Sequence, residues 1–169
     1  MPSPLELISS LVRAAGPAVS SRAFTPRDLP SLQEALAPFT RPRALPPDRS
    51  AALTSLLQQS RDPGITTHLL FPQDDLSPLA AYQLTRRHGL DPEITGLYMP
   101  NLVSLSNTPG VGVQTLQDAR SQGPFSLVTT PGARGFYEKM TQRLPGFQRH
   151  PNPEFNGIAY EYRADGGRI

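Results

Sequence analysis

The sequence predicts an α/β protein with a mixed, mostly antiparallel central sheet flanked by helices. Three observations lead there. Amphipathic segments of helical period alternate with β-branched and aromatic runs along 169 residues. Two of the early runs, 65–73 and 79–87, are separated only by a short polar turn, which suits a hairpin. A glycine-bearing turn, "NTPGVG" at 107–112, then joins the longest apolar run to a helix, so a crossover follows the antiparallel half.

The elements follow in order. "PLELISSLVRAA" (4–15) carries Leu5, Ile8, Leu11 and Val12 on one helical face and stops at Gly16-Pro17. Residues 1–17 are read as a helical extension, for packing or for dimerisation, and 18–169 as the main domain. "AVSSRAF" (18–24) is the first strand. Thr25 then stands as N-cap and Pro26 as first helical residue of a helix whose apolar stripe is Leu29, Leu32, Leu36 and Phe39. A second helix runs through "PPDRSAALTSLLQQSRDPG" and ends at Pro63-Gly64. The hairpin comes next, its second arm also compatible with a helix because Ala and Leu are helix formers. After the turn "HGLDPE", residues 94–106 form the longest strand, with Pro100 marking a bulge or splay near its middle. The chain closes with helix "VQTLQDARSQ", strand "FSLVTT" (125–130), helix "PGARGFYEKMTQRL" and strand "NGIAYEYRA" (156–164).

Composition narrows the function. The chain has no cysteine, which removes disulfides, thiolate metal sites and cysteine nucleophiles. Its three histidines, His68, His88 and His150, are too far apart for a local metal motif, so no metal is expected. No run approaches the ~20 apolar residues of a membrane helix, and no basic stretch precedes the first apolar run as in a signal peptide. A cytoplasmic location without membrane contact is therefore the expectation. The net charge is +2, Lys139 is the only lysine, and the arginines are scattered. That pattern does not favour nucleic acid as a partner and suits a small anionic ligand.

A strand entering a glycine-rich turn and then a helix is an anion cradle as well as a turn. The first helical N–H groups have no partner within the helix and its dipole is positive there. Gly110 and Gly112 allow phosphates to approach the backbone, while Pro109 has no N–H to donate. The turn lacks the Gly-Lys-Ser/Thr ending of a Walker loop and the third glycine of a dinucleotide fingerprint.

In their order and spacing, "RAFTPRDLPSLQEAL", "NTPGVG" and "SLVTTPGARGFYEKM" with a later "GF" resemble the GNAT superfamily of acyl-CoA-dependent N-acyltransferases, over roughly residues 18–163. The resemblance implies a sheet whose fourth and fifth strands, here 94–106 and 125–130, splay apart to hold the pantetheine arm of acetyl-CoA or another acyl-CoA. It implies main-chain contacts near Val103 and Leu105, and pyrophosphate on Asn107, Thr108, Gly110, Val111, Gly112 and Val113. It makes Tyr137 the acid that protonates the leaving thiolate. Asn107 stands where the family has Arg or Gln, and 94–106 carries no carboxylate, which leaves Glu93 as the candidate base. Tyr98 is the strand tyrosine best placed for a substrate pocket. The implied acceptor is a primary amine of a small molecule or protein. The other readings are a non-catalytic acyl-CoA-binding regulatory module and a toxin-type aminoacyl-tRNA acetyltransferase.

Overall fold

The computed structural model describes residues 19–86, 96–152, 154 and 158–163. The expected helix at 4–15, the turn at 88–93 and Glu93 lie outside the described residues. Strand β1 (Val19–Phe24) leads into a 3-10 turn at Pro26–Asp28 and helix α1 (Leu29–Leu36). The Asp28 carboxylate accepts the Thr25 N–H at 3.0 Å, which caps this start. Helix α2 (Pro47–Gln59) follows, then the antiparallel pair β2 (Ile65–Pro72) and β3 (Ala80–Thr85). The second hairpin arm is thus a strand. All six of its residues are buried, and tertiary burial outweighs the helix propensity of Ala and Leu.

The long strand expected at 94–106 is instead two short ones, β4 (Leu97–Tyr98) and β5 (Leu102–Ser104). Tyr98 lies opposite Thr85 and Leu102 opposite Tyr82, while the Gln83 N–H reaches the Asn101 carbonyl at 2.9 Å. Met99 and Pro100 therefore stand against Leu84 alone. That two-against-one count is a β-bulge. Pro100 suits it, since a proline has no N–H for the ladder.

Helix α3 (Val111–Ser121) precedes β6 (Phe125–Val128), and helix α4 (Arg134–Arg143) precedes β7 (Phe147–Arg149) and β8 (Ala159–Tyr162). The three-residue β7 is absent from the sequence reading because it is too short to display a period of two. The last strand is shorter than 156–164. The sheet order is β1-β2-β3-β4-β6-β8-β7, with β5 paired to β3. Only β4 and β6 pair in parallel.

Strand alternation divides the core. On one face, α1 and α2 pack Leu32, Leu36, Leu53 and Leu56 against Leu69, Ala81 and Val103. On the other, α3 and α4 pack Leu116, Tyr137 and Met140 against Tyr82, Phe125 and Tyr160. A fully buried carboxamide ties the first face together. Gln83 donates to the Leu56 carbonyl at 2.8 Å and to Thr67 Oγ1 at 3.0 Å, and accepts from Asn101 Nδ2 at 2.8 Å.

Candidate active site

The bulge opens the sheet. β4 runs beside β6 for two residues, and the Met99 N–H donates to the Ser126 carbonyl at 2.9 Å. Beyond that bond β5 pairs only with β3, so β5 and β6 diverge from a vertex at Met99-Pro100. Val128, at the open end of β6, is 40% exposed.

Register decides which atoms face this gap. The Leu105 N–H is held by the Leu79 carbonyl at 2.9 Å, and Val103 lies opposite Ala81 in the same alternating series. Their main-chain groups point towards β3, and their side chains are buried under α1 and α2. The contacts expected at Val103 and Leu105 are therefore displaced by one residue. Leu102 and Ser104 turn their N–H and C=O groups into the gap, because successive residues of an antiparallel strand alternate sides.

The glycine turn lies where β5 leads into α3. Gly110 is the N-cap, with φ of 83°, in the left-handed region that glycine enters at least cost. Thr108 N–H donates to Ser106 Oγ at 3.1 Å, and the two hydroxyls are 2.6 Å apart. Val111 N–H makes a long bond of 3.4 Å to the Thr108 carbonyl, and the Val111 side chain is buried against Leu70 and Leu79. Gln114 N–H, bonded to the Gly110 carbonyl at 3.1 Å, closes the first turn of the helix. The N–H groups of Gly112 and Val113 precede any intrahelical partner. Of the residues expected to cradle an anion, Gly110, Gly112 and Val113 thus offer donors, whereas Thr108 has spent its own on the turn.

Gly112 has a packing reason too. A Cβ there would stand 2.7 Å from ring carbons of Phe136. Its absence lets α4 close on α3.

Arg49 is a site residue that sequence reasoning missed. Its Nη1 donates to Asn107 Oδ1 at 2.9 Å, bringing a guanidinium from α2 to the turn. Asn107 replaces the side chain of the resembled motif, and Arg49 supplies a cation beside it. The signal was a basic residue in the first turn of α2, but nothing local tied it to a position 58 residues away.

Tyr137 is buried in the α3/α4 core, in the same cluster as Met99 and Leu127, which flank the vertex. Its ring stacks on Tyr160 and Phe147, with centroids 5.5 and 6.1 Å away. Burial, and secondarily the neighbouring Tyr160, push its hydroxyl far above the ordinary tyrosine range. Tyr98 lines a cavity of about 570 Å³ beside the vertex, with Pro100, Thr85, Ile65, Gln58, Gln59 and Asp62. Burial raises its hydroxyl pKa as well. Among the described residues, no group of three or more His, Cys, Asp or Glu side chains is arranged to hold a metal ion.

A parallel β4/β6 junction that opens at a bulge, with an anion-ready helix N-terminus beyond it, defines an acyltransferase-type α/β architecture. The chain has the fold of the GNAT superfamily of N-acetyltransferases. It is similar to AAC(6')-Ib in complex with ribostamycin and coenzyme A, with TM-score 0.52 and 14% identity, covering 87% of this chain and 93% of that one. It is also similar to a bacterial toxin, with TM-score 0.51 and 16% identity, covering 88% and 91%. An acyl-CoA N-acyltransferase from Pseudomonas aeruginosa aligns with TM-score 0.47 and 18% identity, covering 87% and 100%. No family model and no curated protein sequence matches the chain.

Proposed function

We propose that this protein transfers an acetyl or other acyl group from acyl-CoA to a primary amine. The observation that carries the reading is the gap between β5 and β6, edged by the main chain of Leu102 and Ser104 and ending at the Gly110 N-cap of α3. An extended pantetheine arm needs amide partners along one strand, and a pyrophosphate needs unpaired N–H groups and positive potential at its end. A protein of the same fold holds coenzyme A and ribostamycin together, which supports a small-molecule amine as acceptor.

In this reaction the neutral amine attacks the thioester carbonyl carbon. A C–N bond forms, the C–S bond breaks, and the amine proton leaves through a base. The gap-facing N–H of Leu102 polarises the carbonyl as negative charge develops on its oxygen. The acceptor occupies the cavity beside Tyr98. Glu93 is the candidate base from the sequence, and Asp62 is a second carboxylate in the cavity wall. Tyr137 is the proposed donor to the departing thiolate. Its raised pKa keeps it protonated, which suits a hydrogen-bond donor better than full proton release. Tyr137→Phe is therefore expected to lower kcat by about tenfold, below the usual ~10²–10⁴ of a general acid, with coenzyme A affinity unchanged. Wild-type turnover in that variant removes the role.

Thiol release from acetyl-CoA with a panel of amines tests the whole reading. Turnover excludes the regulatory module, whereas coenzyme A binding without turnover on any amine favours it. The similarity to a bacterial toxin, with Arg41 and Arg43 exposed between α1 and α2, keeps an aminoacyl-tRNA acceptor as the second reading. Salt-sensitive tRNA binding would favour it. Arg49→Ala is expected to weaken coenzyme A binding by about tenfold and to flatten its salt dependence, read by calorimetry at two ionic strengths. Equal affinity at both strengths assigns Arg49 to the Asn107 contact alone.

A further inference from the structure

A second cavity, of about 610 Å³, lies on the α3 side of the sheet and reaches from β1 and β2 to Gln122, just past the end of α3. The turn at 107–112 is at the other end of that helix, roughly 16 Å away at ~1.5 Å per residue. His68 lines this cavity and is 5% exposed. Its ring stacks on Tyr82 with centroids 4.7 Å apart and planes 6° from parallel. The Tyr82 hydroxyl donates to Asp118 Oδ2 at 2.5 Å and accepts from Gln122, so both neighbours are engaged. Among the described residues the His68 ring nitrogens have no hydrogen-bond partner. A polar ring, nearly enclosed, fixed by stacking and turned to a cavity is a binding group rather than a core-filling one.

The rest of the wall sets the ligand. His68 lies opposite Tyr82 in the β2–β3 ladder, so Arg86 is four residues further along β3 on the same face. That is about 13 Å of strand, much of which an arginine side chain spans. Leu84 lies between them and Leu97 beside it, while Thr66 adds a hydroxyl next to Leu84. The sequence of groups is a guanidinium at the mouth, an apolar middle, and an imidazole at the inner end. Burial lowers the His68 pKa, against the opposing charge of Asp118, so the imidazole is neutral near pH 7 and both donates and accepts.

We propose that this cavity is a second small-molecule site, taking a carboxylic acid with an apolar body and a hydroxyl at its far end. The carboxylate pairs with Arg86, the body rests on Leu84 and Leu97, and the hydroxyl meets His68. The site is independent of acyl transfer and of coenzyme A.

4-Hydroxybenzoate titrated into the full chain, followed through the His68 imidazole resonances, tests it. Binding should move those resonances and saturate, with benzoate and 4-hydroxybenzyl alcohol each weaker because one end is lost. Arg86→Gln, at an exposed position that leaves the core intact, should weaken 4-hydroxybenzoate about tenfold, the scale of one charged hydrogen-bonded contact. Saturating coenzyme A should leave the titration unchanged. An unmoved His68 up to the solubility limit, equal affinity in Arg86→Gln, or displacement by coenzyme A would each overturn the proposal.

Discussion

Gly110→Asp is expected to weaken coenzyme A binding by about 100-fold or more while the protein stays folded, a difference of ~2.7 kcal/mol. Gly110 is exposed, so the new side chain displaces no core atom. Its φ of 83° is in the region that aspartate and asparagine enter more readily than other side chains. A carboxylate at the N-cap also favours the dipole of α3. The same carboxylate would stand where the proposed pyrophosphate sits and compete for the N–H groups of Gly112 and Val113. Gly110→Asn separates charge from bulk, and it should retain more of the affinity. Calorimetry with coenzyme A and a thermal melt of each variant suffice. Undiminished affinity in a folded Gly110→Asp protein would remove the turn from cofactor binding.

Glu161→Ala is expected to cost about 3–5 kcal/mol of stability, the range for removing one partner of a buried ion pair. The Glu161 side chain is 0% exposed and that of Arg163 14%. Its Oε1 is 2.7 Å from Arg163 Nε and accepts from Gln148 Nε2 at 2.7 Å. In the β6–β8–β7 ladders it lies opposite both Ser126 and Gln148. Removing the carboxylate leaves the guanidinium with little solvent and no counter-charge at that position. Glu161→Gln keeps the shape and should fall between wild type and alanine. Urea unfolding reads the difference. A loss below ~1 kcal/mol would mean that the pair behaves as a surface one.

Much of the scaffold was legible because its signals are local. Pro63-Gly64 ended α2, Pro100 marked the bulge, and the alternation in 79–87 outweighed its helix formers. Gly110 announced a left-handed N-cap. The site was less legible. Val103 and Leu105 were the right strand but the wrong parity, since a single extra residue at Met99-Pro100 sets the register of everything after it. Glu161 gave no sign of burial, because a charged residue in a short final strand reads as solvent-facing until the strand has neighbours on both sides.

The sequence by itself determined the order of helices and strands and the conformation of the turn at 107–112, because hydrophobic period, proline and glycine act on the backbone within a few residues. Only the tertiary structure decided that Leu102 and Ser104 face the gap, that Arg49 reaches Asn107, and that the missing Cβ of Gly112 seats Phe136. Each of these joins atoms from different segments. Their contact depends on strand register and helix packing, which form only when the two faces of the sheet are buried together.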